Sequence, residues 1–247
     1  MSGSDRHVVV SGGGTGIGRA TAAAFAHDGA RLTLLGRRED VLRETAAELG
    51  DAGAAAVEWH ALDLADVSAV AELAASWREP VDVLVNNAGG VIRGPADDLH
   101  ALAEQWLSDF RTNVLTAVLL TNALVAYLRR PGGRVILLSS IAALRGGGGS
   151  YSAAKAALHG WAFDLAADLG HEGITVNVVA PGFVDDTEFF GGTMTDDRRR
   201  RLVDSTLVKR AGAPEDVAAT IRFLASPEAG YITGQIVQPN GGALLGR

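Results

Sequence analysis

Short β-branched or apolar runs alternate with longer Ala/Leu-rich stretches along nearly the whole chain. The runs are His7–Ser11, Arg31–Gly36, Ala55–His60, Val81–Asn86, Gly133–Ser139, Ile174–Ala180 and Gln235–Gln238. Several are continuously apolar, the mark of strands covered on both faces by helices. Between them lie segments with apolar residues at i, i+3 and i+4, such as Arg38–Leu49, Val67–Trp77 and Ala101–Leu128, which predict helices. Strand–helix alternation with short connections predicts an α/β fold, a parallel, doubly wound sheet with right-handed crossovers. No linker, low-complexity tract or charge-block boundary interrupts it, so one domain is expected over residues 1–247. Gly146–Gly149 is expected as a flexible loop, since a strand and a helix flank it closely.

Composition narrows the function. A chain of 247 residues, 47% hydrophobic and 21% charged, can bury a substantial core. A net charge of −7 argues against a nucleic-acid or anionic-membrane surface, which needs a basic face. With no cysteine there is no disulfide, thiolate zinc site or cysteine nucleophile. The six histidines are scattered without zinc-type spacing, and no metal site is expected. No Gly-x-Ser-x-Gly elbow appears and no Gly-Lys-Ser/Thr follows a glycine turn, so hydrolase and nucleoside triphosphatase chemistries fare badly. Residues 1–7 lack an apolar signal core and no apolar stretch reaches bilayer length, so a soluble, cytoplasmic protein is expected.

Two motifs carry chemistry. Ser11-Gly12-Gly13-Gly14-Thr15-Gly16-Ile17-Gly18 follows the first strand and opens the predicted helix Arg19–Asp28. Glycines there let the backbone turn tightly and bring a diphosphate to amides at a helix N-terminus. A glycine run is equally a plain turn, and its place in the first βα unit favours the dinucleotide. The second strand ends in Gly36-Arg37-Arg38, without the acid that would bind a ribose diol. Arg37 and Arg38 suit a 2′-phosphate, which favours NADP(H) over NAD(H); the alternative makes them solvated residues at a helix start.

The second motif is Tyr151-Ser-Ala-Ala-Lys155. On a helix, a spacing of four puts both side chains on one face. A tyrosine of ordinary pKa near ~10 is a poor acid–base group at neutral pH. A fixed ammonium beside it is expected to lower that pKa toward the working range.

With these motifs, Asp63-Leu64, Asn86-Asn87-Ala88-Gly89, Asn113, Ser140 and Pro181-Gly182 follow in an order that resembles the short-chain dehydrogenase/reductase family. The resemblance runs from about His7 to the C-terminus. Ile232-Thr233-Gly234-Gln235 with Gly241-Gly242 is similar to 3-oxoacyl-thioester reductases and antibiotic-pathway ketoreductases. It implies a single Rossmann-like domain of about seven strands with helices on both faces. It also implies an NADPH-dependent carbonyl reductase, or in reverse a secondary-alcohol dehydrogenase.

The resemblance makes Tyr151 the proton donor. Lys155 would lower the Tyr151 pKa and hold the nicotinamide ribose. Ser140 would bind the carbonyl oxygen, and Asn113 would anchor a proton relay. Asp63 and Leu64 would face the adenine, and Asn87, Ala88 and Gly89 would line the cleft. Pro181, Gly182 and Val184 would sit by the nicotinamide. Three departures stand out. Serine replaces threonine at Ser11, and the Ser140–Tyr151 stretch is two residues short, which leaves Ser139 as a possible substitute for Ser140. The family's threonine after Pro181-Gly182 falls one place late, at Thr187, behind Asp185 and Asp186.

Residues 183–206 are expected to form a substrate lid. Phe183, Phe189, Phe190 and Met194 suit an apolar substrate or a seal against the body. Arg198–Arg201, Arg129 and Arg130 are candidate carrier-protein contacts, against which Asp196, Asp197 and Glu172 weigh. The expected partner is a small ketone or alcohol, apolar or thioester-linked. The apolar helices Ala101–Leu128 and Ser152–Leu169 suggest a homodimer or homotetramer. Two rival readings remain: a non-catalytic dinucleotide-binding regulator on the same fold, and an epimerase or dehydratase, which would ordinarily carry an added substrate domain.

Overall fold

The computed structural model describes residues 6–91, 94, 97–185, 187–190 and 194–246. Its strands are β1 (His7–Ser11), β2 (Arg31–Gly36), β3 (Ala56–Ala61), β4 (Val83–Asn86), β5 (Arg134–Leu138), β6 (Thr175–Val179) and β7 (Ile236–Val237). They form one sheet in the order β3-β2-β1-β4-β5-β6-β7, and every pairing is parallel. This is the Rossmann-like architecture the alternation predicts. The helices are α1 (Gly16–Ala26), α2 (Glu39–Asp51), α3 (Val67–Ser76), α4 (Leu99–Phe110), α5 (Thr116–Leu124), α6 (Ala142–Arg145), α7 (Ser150–Gly170), α8 (Asp196–Asp204) and α9 (Pro214–Leu224). Among the described residues no helix is long and apolar enough to cross a membrane.

The continuously apolar strands follow from burial on both faces. Val8, Val10, Leu32, Leu34, Val83, Val85 and Ile136 enter one core, packed by Phe25 of α1 and by Val217, Ile221 and Leu224 of α9. Their neighbours Val9, Leu35, Leu84, Val135 and Leu137 enter the other, with Leu73 of α3, Leu120 and Leu124 of α5 and Leu169 of α7. The period of two thus divides one strand between two oily layers. The sheet margins differ: β3 is largely exposed, and β7 is two residues long where Gln235–Gln238 is predicted.

Position in the sheet creates the site. The chain runs outward from β1 to β3, then returns across to β4, so β1 and β4 are neighbours whose following loops diverge. Such a switch point opens a crevice at the carboxyl ends of the strands.

The predicted single helix Ala101–Leu128 is corrected. It is α4 and α5 joined by a π-helical turn, Arg111–Leu115, and followed by a 3-10 turn, Val125–Tyr127. A π-turn inserts an extra residue and rotates the following side chains; Asn113, at its centre, is buried. Other boundaries move by one to three residues. Val81 lies outside β4 and instead bridges Leu128. α1 starts at Gly16, three residues before the predicted Arg19.

Candidate active site

At the first βα junction, the Gly12 amide donates to Leu35 O at 2.7 Å, folding the turn back over β2. Gly12 has φ +63°, and a Cβ there would lie 2.8 Å from Asn87 Nδ2. A Cβ on Gly18 would stand 2.1 Å from Gly12 O. The turn and the first turn of α1 are therefore in backbone-to-backbone contact, which side chains would prevent. Ser11 and Asn87 staple the two diverging loops. The Ser11 hydroxyl accepts from the Asn87 and Ala88 amides, each at 2.9 Å, and donates to Val85 O. Asn87 Nδ2 donates to Ser11 O and Gly12 O at 3.0 and 3.1 Å.

The crevice holds about 650 Å³ and runs from Arg37 and Arg38 to Tyr151 and Lys155. Of the sequence-predicted residues, Gly12, Gly14, Thr15, Gly16, Ile17, Arg37, Arg38, Asp63, Leu64, Asn87, Ala88 and Gly89 line it. So do Ser140, Tyr151, Lys155, Pro181, Gly182, Val184 and Thr187. Ser11, Gly18 and Asn113 lie behind the wall rather than on it. Ser11 is the staple, Gly18 is packed against Gly12, and Asn113 clamps the loop after β4. Its Oδ1 accepts from Gly90 N at 3.0 Å, and its Nδ2 donates to Gly90 O at 2.7 Å and Asp109 O at 3.0 Å.

The cradle fits a dinucleotide diphosphate. The N-cap of α1, Thr15, makes no side-chain cap bond, and no acid occupies the first turn. Those amides lack a side-chain acceptor at the positive end of a helix, where an anion is favoured. Thr187 reaches over the same turn, its methyl 3.4 Å from where a Gly16 Cβ would be. Asp63 Oδ1 accepts from Ala65 N at 2.9 Å, which fixes the loop after β3 where it lines the crevice.

Sequence reasoning missed Glu188. Its carboxylate takes a two-pronged ion pair from Arg38, 2.8 Å to Nη2 and 3.2 Å to Nη1, across the mouth of the crevice. Nothing local signals it, since 150 residues separate the partners. Gly90, also on the wall, was within reach as the continuation of Asn-Asn-Ala-Gly.

At the far end, α7 presents Tyr151 and Lys155 one turn apart, both buried. Lys155 Nζ donates to Leu138 O at 2.8 Å and stands 6.0 Å from the Tyr151 ring centroid. The Tyr151 ring also meets Phe189 edge-on at 5.6 Å. Burial pushes the phenol up to about 12; a hydrogen bond with Ser140 opposes the rise and the Asp109 charge adds to it. Burial likewise pushes the Lys155 ammonium down to about 8. The phenol thus stands higher than the expected lowering by Lys155 would leave it: burial is the largest influence on it, and the ammonium is tied to Leu138 O.

Ser139 and Ser140 both line the crevice, and their hydroxyls are engaged differently. The Ser139 hydroxyl is buried, donates to Lys155 O at 2.9 Å and meets His159 Nε2 at 2.7 Å. Ser140 stands at the crevice, where its Oγ accepts from Ala142 N at 3.1 Å. The glycines after it follow the short α6, and Gly149 (φ +57°) leads into α7.

In the predicted lid, Phe183 is buried against the body, while positions 186 and 191–193 and the Phe190 side chain lie outside the described residues. Four of the six candidate carrier contacts are locally neutralised. Arg199 pairs with Asp185 and Arg200 with Asp197, while Arg129 pairs with Asp82 and Arg130 with Glu172.

A crevice with a glycine turn fit for a diphosphate at one end and a phenol, a hydroxyl and an amine gathered at the other is the kind found in nicotinamide-dependent oxidoreductases. Comparison with known proteins agrees. A family model described as enoyl-(acyl carrier protein) reductase matches residues 12–243. The chain is 38% identical over 246 residues to the short-chain reductase protein NovJ of Streptomyces niveus, covering 95% of this chain and 92% of that one. It is 34% identical over 242 residues to the 3-oxoacyl-[acyl-carrier-protein] reductase FabG of Escherichia coli K12, covering 96% of each. Among solved structures, a blue fluorescent protein from a metagenomic library, in complex with NADPH, superposes with a TM-score of 0.87. It is 30% identical, over 99% of this chain and 100% of that one. The chain belongs to the short-chain dehydrogenase/reductase family, oxidoreductases that interconvert C=O and CH–OH.

Proposed function

We propose that the protein is an NADPH-dependent reductase of a ketone, with a single domain serving both cofactor and substrate. The observation that carries this reading is the convergence of Tyr151, Ser140 and Lys155 at one end of the crevice whose other end is the glycine turn. A bound nicotinamide dinucleotide would supply the hydride. Tyr151, pushed well above neutrality by burial, is a phenol at working pH and donates its proton to the carbonyl oxygen. The Ser140 hydroxyl donates to the same oxygen and steadies the developing negative charge in a site shielded from water.

Lys155, held by Leu138 O, is the cation available to the ribose hydroxyls and to the phenolate that Tyr151 becomes. Asn113 keeps the loop after β4 closed behind them. Arg37 and Arg38 at the adenine end, with glycine in place of an acid at Gly36, support a 2′-phosphate and hence NADPH. The NADPH complex of a similar protein supports the same choice.

The relatives support a keto substrate, presented as a thioester or as a free ketone. The pairing of Arg129, Arg130, Arg199 and Arg200 with nearby carboxylates favours the free ketone over a carrier-bound chain. Apolar side chains exposed along α4 and α7, among them Trp106, Leu107, Phe110 and Phe163, favour a homo-oligomer.

The test is NADPH loss, followed by absorbance, over short 3-oxoacyl thioesters and bulky aromatic ketones, with NADH and Tyr151→Phe as controls. The reading expects ketone-dependent NADPH oxidation that falls at least about a hundredfold in Tyr151→Phe, the range of a lost general acid, while NADPH binding is kept. Wild-type turnover in that variant would refute it. NADPH binding without turnover of either ketone class would favour a binding protein on the same fold.

A further inference from the structure

We propose that His159 is a positioning residue for Lys155: its ring N–H fixes the Ser139 hydroxyl onto the Lys155 carbonyl and so holds the lysine's turn of α7 against the end of β5. The proposal rests on Lys155 as the cation that serves the cofactor and Tyr151.

The spacing of four that pairs Tyr151 with Lys155 runs on for one more turn, to His159, and all three residues are buried. Lys155 is gripped at both ends by two successive residues of the strand end. Its Nζ donates to Leu138 O at 2.8 Å, and its carbonyl receives the Ser139 hydroxyl at 2.9 Å. Ser139 is itself fixed, since its amide donates to Val179 O of β6 at 2.8 Å. A third contact closes the loop: Ser139 Oγ stands 2.7 Å from His159 Nε2.

Counting hydrogens sets the direction of each bond. A carbonyl has none, so the one hydroxyl hydrogen of Ser139 lies toward Lys155 O. The Ser139 oxygen is then an acceptor on its other side, and the hydrogen in the 2.7 Å contact belongs to Nε2. Burial pushes the His159 imidazolium down, which favours the neutral ring. The neutral ring is therefore the Nε2–H tautomer. In the helix ladder the His159 amide also faces Lys155 O, four residues back.

Ser139 lines the crevice as well, so its hydroxyl has a second direction to turn. The ring N–H on its lone pair keeps the hydroxyl hydrogen on Lys155. An apolar side chain would fill position 159 at a lower desolvation cost, so the bond is what histidine supplies there.

The test uses the two lysines of the chain, Lys155 and Lys209. In full-length protein labelled with 13C-lysine each gives its own NMR signal, and Lys209→Arg assigns them. The Lys155 titration midpoint, pushed down to about 8 by burial, reads how well its ammonium is held away from water. His159→Leu fills the space without the donor, and the midpoint should rise by about half a pH unit or more. His159→Gln returns an N–H close to the place of Nε2 and should restore it. NADPH affinity should follow, weakened about two- to tenfold in His159→Leu, the range of one net hydrogen bond. A wild-type midpoint in His159→Leu, or one shifted as far in His159→Gln, would overturn the proposal, since a space-filling histidine predicts those results. Should His159→Leu not fold, Ser139→Ala carries the same expectation, and an unmoved midpoint there is equally fatal. In the Ser139→Ala/His159→Leu double variant a further rise would mean that the histidine acts by another route, and would refute the clamp. In 15N-histidine spectra a bare Nε2 would do the same, because the Ser139 hydrogen would then lie on the ring. None of these readings needs a ketone turned over. Lys155→Met tests the lysine's cofactor role separately, so its failure is distinguishable from that of the clamp.

Discussion

Replacing Glu188 by glutamine keeps the size of the side chain and removes the charge that now occupies Arg38. Both partners are exposed, 53% for the Arg38 side chain and 62% for Glu188, so the pair contributes about 0.2–1 kcal/mol despite its two-pronged geometry. An arriving 2′-phosphate has to outcompete that carboxylate for the guanidinium; a cofactor with a free 2′-hydroxyl does not. Removing the competitor should therefore tighten NADPH by about 1.5- to 5-fold, at about 1.4 kcal/mol per tenfold. NADH should change by less than about 1.5-fold, since its 2′-hydroxyl gains little from a guanidinium. Arg38→Ala should weaken NADPH about tenfold, the loss of a charge-assisted bond, and leave NADH nearly as it was. Fluorescence titration with each cofactor at two salt concentrations measures this, and the Glu188→Gln gain should shrink as salt screens the pair. An equal effect on both cofactors would refute the reasoning. It would mean that Glu188 acts by holding the loop over the crevice rather than by occupying Arg38.

Two further substitutions separate packing from chemistry. Lys155 has a folded pKa of about 8 against an ordinary 10.5, so the folded state binds fewer protons than the unfolded state between those values. Its buried ammonium therefore costs stability below pH 8, and that cost fades as pH rises toward 10.5. Lys155→Met should raise the melting temperature at pH 7 by a few degrees, about 1–2 kcal/mol after allowing for the lost bond to Leu138 O. The gain should vanish near pH 10, while NADPH affinity and turnover collapse; a lower melting temperature at pH 7 would contradict this. Gly18→Ala sets helix propensity, worth about 1 kcal/mol in favour, against a Cβ 2.1 Å from Gly12 O. The clash should win by about 1–3 kcal/mol and weaken NADPH and NADH alike, as denaturation and binding titrations would show. Unchanged stability would mean that the turn yields without cost.

The residues that were legible in the sequence are those whose signal is local. Val8 to Val10 read as a covered strand because consecutive residues enter opposite cores, and the glycine turn reads as a cradle because its backbone geometry needs those glycines in that order. The π-turn at Asn113 was not legible, since one extra residue in a helix leaves the apolar spacing almost unchanged and shows only in hydrogen bonding. Ser139 and Ser140 could not be told apart for a related reason. The parity that turns the Ser139 hydroxyl onto α7 is set where β5 pairs with β6, at Leu138 and Val179. Arg38–Glu188 and Asp109–Ser150 are long-range pairs, made by the sheet order and by the packing of α4 on α7. The tyrosine shows the difference most sharply. From the motif, one neighbour, Lys155, decides its acidity. In the fold the decision is a balance among burial, Ser140 and Asp109, with the lysine committed to Leu138 O, and only the folded chain supplies those weights.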